Sequence, residues 1–239
     1  MNNSISLLQK LASEHRLSLD EYQCLIDAYS PETARLAASL ADKARREVFG
    51  NKVYIRGLIE ISSFCRCDCY YCGIRRSNKN CQRYRLTDEQ ILDCCREGWQ
   101  LGFRTFVLQG GEGIYTADEV AGVVAKIKSE YPDCAVTLSL GEYSREDYAK
   151  MRASGADRYL LRHETADPEH YKRLHPPAQS YDNRMRCLYD LKSLGYQVGC
   201  GFMVGSPYQT SRELARDLEF IADSSPEMCG IGPFIPHRD

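Results

Sequence analysis

The chain has 239 residues, of which 43% are apolar, and this is enough to bury the core of one large domain. A net charge of -2 provides neither the basic footprint of a nucleic-acid-binding protein nor a polybasic patch for a membrane surface. No apolar run reaches transmembrane length. From the charge we expect no nucleic-acid partner, and from the charge and the missing apolar run we expect no membrane partner.

Residues 1–50 are predicted to form a helical extension that packs on the main domain. Ser18-Leu-Asp-Glu21 and Ser30-Pro-Glu-Thr33 have the residue types of helix starts, since a serine oxygen can cap the first turn. From residue 51 the pattern changes to strands that alternate with helices. Residues 51–239 are therefore predicted to form a second unit.

The second unit is predicted to contain six short apolar strands: Leu58–Ser62, Thr105–Gln109, Ala135–Leu140, Arg158–Arg162, Gln197–Val204 and Met228–Phe234. Helix starts are indicated at Thr87, Thr116, Ser144 and Thr210, and helix ends at Gly102, Gly155 and Gly195. Apolar strands that alternate with helices predict a parallel sheet of the α/β class. A barrel and a doubly wound open sheet both remain possible, and both place functional residues at the carboxyl ends of the strands.

The loop after the first predicted strand reads Cys65-Arg-Cys67-Asp-Cys69-Tyr-Tyr-Cys72 and contains the spacing C-x3-C-x2-C. Three thiolates on one short loop can hold three irons of a cubane cluster and leave the fourth iron without a protein ligand. Such an open position can bind a small molecule, as the open position of a catalytic zinc does. A structural zinc site or a redox pair is the alternative, although no second cysteine pair or histidine pair lies nearby.

Glycines and polar residues follow the later strands. Gln109-Gly110-Gly111-Glu112 ends the second strand, where two glycines let a ligand approach the backbone, although an ordinary turn would also explain them. Thr137 and Ser139 lie on the third strand, and Met203 lies on the fifth. Spacing alone favours a core position for Met203 over a ligand contact.

The fourth predicted strand carries charges. Side chains alternate between the two faces of a strand. One face of this strand therefore carries Arg158, Leu160, Arg162 and Glu164, and the other carries Tyr159, Leu161 and His163. Buried charges are costly unless they are paired or bind a ligand, so the strand indicates either an internal salt bridge or a site for a zwitterion. Arg184, in the next helix, could reach a ligand carboxylate, but by itself it has the character of a solvated residue.

Other residues have a more ordinary interpretation. Seven scattered cysteines are predicted to be small buried hydrophobes: Cys24, Cys94, Cys95, Cys134, Cys187, Cys200 and Cys229. His163 and His237 lie at strand ends, where each could contact a substrate or be a core histidine with satisfied hydrogen bonds. The basic run Arg75, Arg76, Lys79 and Arg83 is predicted to be a solvated face.

Together these residues resemble the radical S-adenosylmethionine superfamily, which carries C-x3-C-x2-C with an aromatic residue before the last cysteine and a Gly-Gly-Glu-like turn after the second strand. The chain is similar in particular to the HydE-type [FeFe]-hydrogenase maturases. The matching stretches run from about residue 50 onwards and include Leu160-Leu-Arg-His-Glu-Thr165 and Ile231-Gly-Pro-Phe-Ile-Pro-His237. Cys67 departs from the common pattern, which has another residue type at that position.

The resemblance implies a TIM-type (β/α) barrel with six of eight units present and added N-terminal helices, so that the sequence would be C-terminally truncated. It implies a [4Fe–4S] cluster on Cys65, Cys69 and Cys72, whose open iron would bind the amino and carboxylate groups of S-adenosylmethionine. Reductive cleavage of that molecule to a 5′-deoxyadenosyl radical is the implied chemistry.

The resemblance also assigns roles at matching positions. S-adenosylmethionine would be bound by Tyr71, Gly110, Gly111, Glu112, Glu164 and Arg184. The cavity toward the substrate would be lined by Gln109, Thr137, Ser139, Arg158, Arg162 and Met203.

The implied role is assembly of the diiron subcluster of the [FeFe]-hydrogenase H-cluster. The substrate would be a small organometallic iron precursor, with transient contacts to other maturation proteins. A 3-methylornithine synthase and a biotin-synthase-like enzyme are alternatives, and a metal-binding scaffold without catalysis is another. The many cysteines and the absence of a signal peptide favour a reducing, cytoplasmic location.

Overall fold

Residues 3–239 are described by a computed structural model, in which three helices precede strands that alternate with helices. The helices are α1 (Asn3–Glu14), α2 (Leu19–Asp27), α3 (Pro31–Phe49), α4 (Asp88–Gln100), α5 (Ala117–Glu130), α6 (Arg145–Ala153), α7 (Pro168–Leu174), α8 (Tyr181–Ser193) and α9 (Ser211–Ser224). The strands are β1 (Gly57–Ser62), β2 (Thr105–Gly110), β3 (Ala135–Ser139), β4 (Arg158–Leu160), β5 (Gln197–Val204) and β6 (Met228–Pro233). All six predicted strands are present, with ends that differ from the prediction by two residues at most.

The six strands form one parallel sheet in the order β1-β2-β3-β4-β5-β6. A doubly wound sheet reverses its strand order at a switch point, so this unbroken order confirms the barrel type of the prediction. Six strands are two fewer than a closed TIM barrel contains. Within residues 3–239, β2 is the one strand that pairs with β1, and β5 is the one strand that pairs with β6. The outer edge of β1 is bridged at its carboxyl end, where Ser62 pairs with Arg85.

The predicted helix starts are N-caps. Five of them have both hydrogen bonds of a capping box, and these are Ser18, Ser30, Thr87, Thr116 and Thr210. Ser144 caps α6 through the Asp147 N–H alone. Gly102, Gly155 and Gly195 follow helix ends at φ of 93°, 109° and 78°, a backbone region that favours glycine.

The core lies between the sheet and the helices that cover its outer face. Three tyrosines, Tyr148, Tyr159 and Tyr196, stack edge to face along it, with ring centroids 5.1 and 5.8 Å apart. The hydroxyls of Tyr148 and Tyr159 both donate to the Gly141 carbonyl oxygen, at 3.1 and 2.9 Å. The buried rings contribute apolar burial while their hydroxyls fix the turn after β3.

The N-terminal helices pack on α9. Leu7, Leu17 and Tyr22 are buried together with Ala215 of α9, and Arg212 of α9 pairs with Asp20 at 2.6 Å. Residues 3–49 contain the three helices α1, α2 and α3, and residues 1 and 2 lie outside the described residues. The division of the chain at residue 50 stays a prediction. None of the helices within residues 3–239 has the length and apolar character needed to cross a bilayer.

The scattered cysteines divide into two groups. Cys95, Cys134, Cys187 and Cys200 are buried, as predicted. The prediction is wrong for Cys24, Cys94 and Cys229, which are exposed. The first two lie on outward-facing helix positions, and Cys229 lies on the edge strand β6, where no further strand or helix covers it within the described residues.

Two glycine substitutions should have opposite effects on stability. A Cβ at Gly201 would lie 2.1 Å from the Gly230 carbonyl oxygen on β6, whereas a Cβ at Gly122, inside α5, meets no atom within 4 Å. We expect Gly201→Ala to lower the free energy of unfolding by about 1–3 kcal/mol, because the two strands must separate. Gly122→Ala should raise it by about 0.5–1 kcal/mol. Urea denaturation measures both, and equal effects would contradict the strand contact.

Candidate functional site

The cysteine loop follows β1 and is hydrogen-bonded to the turn after β2. The Cys65 sulfur accepts the backbone N–H groups of Cys67 at 3.4 Å and of Glu112 at 3.3 Å. The N–H of Arg66 donates to the Glu112 carbonyl oxygen at 2.9 Å. A side-chain hydrogen bond from Cys67, together with these N–H groups, lowers the pKa of Cys65, while the pKa of Cys67 is raised.

The glycine turn after β2 makes room for this loop. A Cβ at Gly111 would lie 1.8 Å from the Phe64 carbonyl oxygen and 2.7 Å from the Cys65 Cβ. A Cβ at Gly110 would lie 3.3 Å from the Ser62 carbonyl oxygen. The two glycines therefore admit the protein's own backbone, and their assignment to ligand binding stays a prediction.

Arg83 holds the far side of the loop. Its guanidinium donates to four carbonyl oxygens, those of Ser63, Ile74, Arg75 and Asn78. The prediction of a solvated face is therefore wrong for Arg83, because its guanidinium is bound by backbone carbonyl oxygens of the loop instead of by water.

His237, after β6, lies against Gly73 of the same loop. A Cβ on Gly73 would be 2.5 Å from the His237 Cδ2 atom. The segment after β6 thus packs directly on the residue that follows Cys72.

Two buried carboxylates and one buried guanidinium lie beside the cysteine loop. Arg184 Nη2 is 3.5 Å from Glu112, and Arg184 Nε is 2.8 Å from Glu142, although that N–H is not directed at the oxygen. Arg66 pairs with Glu112 from the outside at 3.1 Å. Arg184 is only 7% exposed, so its interpretation as a solvated helix residue is wrong.

The charges of this cluster depend on one another. Burial alone would lower the pKa of Arg184, but Glu142, Tyr171 and Glu112 raise it well above its usual value. Burial raises the pKa of Glu142, and Arg184 opposes that shift. The guanidinium therefore favours the charged form of Glu142 in a poorly solvated position.

Strand β4 ends two residues before its predicted end. Tyr159, Leu161 and His163 are buried toward the helices, as the alternation predicted, and the opposite face is half-buried. Glu164 then adopts φ of 64°, and its N–H donates to the Gly201 carbonyl oxygen at 3.0 Å. The turn directs the chain away from β4 at the residue predicted to bind a cofactor.

His163 is a core histidine. Its Nδ1 accepts the Gly201 N–H at 3.3 Å, so the proton lies on Nε2, which is 3.2 Å from Asp217 Oδ1. The same Asp217 oxygen accepts the Ala166 N–H at 2.6 Å. Both histidine nitrogens have partners, and the ring positions the Glu164 turn without facing a substrate.

Three buried polar atoms on β3 and just after β4 have no hydrogen-bond partner within the described residues: Thr137 Oγ1, Arg162 Nε and Glu164 Oε2. Arg162 Nε is 3.9 Å from Glu164 Oε2, which is a charge contact without a hydrogen bond. An unsatisfied buried polar atom costs about 1–3 kcal/mol. A polar ligand that meets these atoms would remove that cost.

The predicted substrate residues are divided along the strands. Gln109 and Ser139 are register partners at the carboxyl ends of β2 and β3, and Met203 is buried near the end of β5. Arg158 begins β4 and lines a cavity of about 1240 Å³ at the amino ends of the strands. This large cavity therefore lies at the opposite end of the sheet from the cysteine loop.

The residues present fit a cubane cluster. Three thiols lie on one loop, and the Cys65 and Cys69 sulfurs receive N–H donors, as thiolate ligands of iron commonly do. Within residues 3–239, no three His, Cys, Asp or Glu side chains converge on a point that would hold one metal ion. A cubane does not need such convergence, because each thiolate binds a different iron.

The sequence interpretation missed His175 in the connection between α7 and α8. Its Nδ1–H donates to the Tyr171 carbonyl oxygen at 2.9 Å, so Nε2 accepts from the Tyr71 hydroxyl at 3.1 Å. Burial lowers the pKa of His175 to about 4. The sequence did contain one signal, because His175 directly precedes the Pro176-Pro177 pair, and two prolines indicate a stiff connection that could hold the ring in place.

Comparison with known proteins agrees with this architecture. A model of the Radical SAM superfamily matches residues 59–221. The [FeFe] hydrogenase maturase subunit HydE of Thermotoga maritima is 51% identical over 201 residues, which are 84% of this chain and 57% of that protein. The 3-methylornithine synthase of Methanosarcina acetivorans is 27% identical over 233 residues, which are 96% of this chain and 65% of that protein. The chain thus spans less than two thirds of either relative.

Solved structures share the fold. Methylornithine synthase (PylB) superposes with a TM-score of 0.87 at 27% identity and covers 97% of this chain and 68% of its own. HydG, a maturase of the [FeFe]-hydrogenase, superposes with a TM-score of 0.84 at 21% identity and covers 98% of this chain and 54% of its own. The second likeness concerns the fold alone.

Removing the buried guanidinium should be costly. Arg184→Met leaves Glu112 and Glu142 without their buried cation, and we expect the free energy of unfolding to fall by about 3–5 kcal/mol. The matched control is Arg186→Met, two residues along the same helix and exposed, which should change it by about 1 kcal/mol or less. Adding Glu142→Gln to Arg184→Met should recover part of the loss. Urea denaturation measures all three, and similar values for Arg184→Met and Arg186→Met would refute the buried cluster.

Stability should fall between pH 7 and pH 4.5 because of His175. Its pKa is about 4 when folded and about 6.5 when unfolded, so the unfolded chain binds the proton first as the pH falls. The contribution is complete above pH 6.5, and about 2 kcal/mol of it should be lost by pH 4.5. His175→Gln should lessen that fall, whereas the control His15→Asn, at an exposed position, should retain it. Urea denaturation of the parent chain and both variants at several pH values measures this. The same loss of stability in all three would contradict the role of His175.

Proposed function

The chain belongs to the radical SAM superfamily, and we propose that it is a HydE-type enzyme that cleaves S-adenosylmethionine reductively in maturation of the [FeFe]-hydrogenase. The observation that carries the proposal is 51% identity over 201 residues to the HydE maturase subunit, a stretch long enough to include both the cysteine loop and the strand ends. We further propose that residues 1–50 are a helical extension and that residues 51–239 belong to the barrel.

Cys65, Cys69 and Cys72 would hold a [4Fe–4S] cluster. When bound, such a cluster supplies one electron to the sulfonium of S-adenosylmethionine and thereby releases a 5′-deoxyadenosyl radical. The loop contributes fixed sulfur positions, because the Arg66 N–H donates to the β2 turn and Arg83 binds the carbonyls that follow Cys72. Cys67 has no ligand role in this proposal, since it lies outside the C-x3-C-x2-C spacing that Cys65, Cys69 and Cys72 complete.

The polar cluster would bind the methionine part of S-adenosylmethionine. Glu164 retains an unpartnered oxygen, and Arg184 carries a positive charge fixed between two carboxylates, so the pair can take an amino group and a carboxylate. Glu112 with Gly110 and Gly111 would lie toward the amino group. Tyr71, whose hydroxyl is held by His175, would lie toward the adenine.

The barrel interior would take a small organometallic iron precursor. Its wall would be formed by Gln109, Thr137, Ser139, Arg162 and Met203, and Arg158 would face the far end of the same interior. Thr137 Oγ1 and Arg162 Nε have no protein partner among the described residues, so both can donate to a bound ligand. Transient contact with other maturation proteins and a cytoplasmic location complete the proposal.

The alternatives share the cofactor half of the site. Identity favours the maturase assignment, because the 3-methylornithine synthase is 27% identical where HydE is 51% identical. A metal-binding scaffold without catalysis would share the cysteine loop but would form no 5′-deoxyadenosine.

Single cysteine variants test the assignment. After anaerobic reconstitution with iron and sulfide and reduction, the parent chain should give a cubane EPR signal that shifts when S-adenosylmethionine is added, and 5′-deoxyadenosine should form. Cys65→Ala, Cys69→Ala and Cys72→Ala should each lose cluster iron and all product. Cys67→Ala is the matched control from the same loop and should retain both. One zinc and no iron in the parent, or loss of the cluster only in Cys67→Ala, would overturn the proposal.

A further inference from the structure

The connection between α7 and α8, residues 175–180, covers one side of the cysteine loop. Just before it, the Leu174 carbonyl oxygen accepts the Tyr70 N–H at 3.0 Å. At its other end, the Gln179 side chain reaches two consecutive loop residues, Asp68 and Cys69. The connection is therefore attached to the loop at both ends.

The orientation of the Gln179 amide follows from its partners. Asp68 offers a backbone N–H at 3.3 Å, which only the amide oxygen can accept. The amide nitrogen then lies 3.2 Å from the Cys69 sulfur. Once Cys69 is a thiolate it has no proton to give, so the amide N–H must donate to the sulfur.

The backbone position of Gln179 is fixed by the residues on either side of it in the chain. Its backbone N–H donates to the Pro176 carbonyl oxygen at 2.9 Å, which closes a turn that contains both Pro176 and Pro177. Proline fixes φ, so the backbone of this turn has little freedom to move. The side-chain amide is then placed by its contacts with the Asp68 N–H and the Cys69 sulfur. Ser180 follows immediately and caps α8, which fixes the other side.

We propose that Gln179 sets the reduction potential of the cluster by donating a hydrogen bond to the Cys69 thiolate, an inference that rests on the proposed function. The reduced cluster carries one more negative charge than the oxidised cluster, so an N–H donor on a ligand sulfur stabilises the reduced form more. Gln179 therefore makes the potential less negative. It is a positioning residue, since it acts through Cys69.

Within the described residues, Gln179 is the side-chain amide that contacts a sulfur of the C-x3-C-x2-C set, while Cys65 receives two backbone N–H groups and the thiol of Cys67. Backbone donors persist in any variant, but this one depends on a single side chain. The potential can therefore be changed at Gln179 without altering the loop sequence.

Two variants at this position separate the donor from the rest of the side chain. Gln179→Glu has nearly the same shape and keeps an acceptor for the Asp68 N–H, but at pH 8 it has no proton to donate. Gln179→Leu removes both functions. The matched control is Gln100→Leu, at the exposed last residue of α4.

The measurement is the cluster midpoint potential, from anaerobic redox titration followed by EPR at pH 8, with iron content measured on each sample. Both Gln179→Glu and Gln179→Leu should retain iron. Gln179→Leu should shift the equilibrium constant for reduction by about tenfold toward the oxidised form, which is about 59 mV. Gln179→Glu should shift it at least as far, because its carboxylate also adds a negative charge beside the cluster. Gln100→Leu should leave the potential unchanged. In pulsed EPR, an exchangeable proton coupling of the parent should be absent from both Gln179 variants.

Other results would overturn the inference in distinguishable ways. Unchanged potentials in both Gln179 variants, with the cluster intact, would refute the tuning role and leave the proposed function standing. Loss of iron in both variants but not in the parent would show that Gln179 assembles the loop, which also refutes tuning. Failure of the parent chain to hold a cluster would overturn the inference together with the proposed function.

Discussion

The structure depends on the contact between the loop after β1 and the turn after β2. The Glu112 N–H donates to the Cys65 sulfur, the Arg66 N–H donates to the Glu112 carbonyl oxygen, and Gly111 leaves no space between the two segments. Parallel pairing of β1 with β2 brings both segments to the same edge of the sheet. Each later parallel strand places its own C-terminal residues at that same end of the sheet. The pairing register of the strands therefore determines which residues lie in the site.

Three charged side chains, Arg184, Glu112 and Glu142, lie together in a poorly solvated position beside the cysteine loop. Glu112 and Glu142 would be unstable as buried ions without Arg184, and Arg184 would be equally unstable without them. The cluster adds little net stability by this argument, because desolvation offsets the attraction. Its value is positional, since a guanidinium held between two carboxylates cannot swing toward solvent. A preorganised cation of this kind can orient a ligand carboxylate without further rearrangement.

The features that could be predicted from the sequence are those set by near neighbours. Each helix start is a hydrogen bond between residues three apart, and the strand alternation of Tyr159 and Leu161 needs only the pleat. The burial of Arg184 depends on Glu112, 72 residues away, and the role of Gln179 depends on Cys69, 110 residues away. A single sequence contains no signal for such pairs. The spacing of the cysteines is the exception, because the loop carries the whole proposed ligand set within eight residues.

Strand order that follows chain order has a consequence for how the protein is made. Each new strand pairs with the one synthesised just before it, so the sheet can grow outward from β1 as the chain leaves the ribosome. The packing of α1 and α2 on α9 is different, because Asp20 must wait for Arg212 to be translated. At about 5–20 residues per second, that delay is on the order of 10–40 seconds. During this time Leu7, Leu17 and Tyr22 lack their α9 partner, so this part of the core is completed only after α9 has been synthesised.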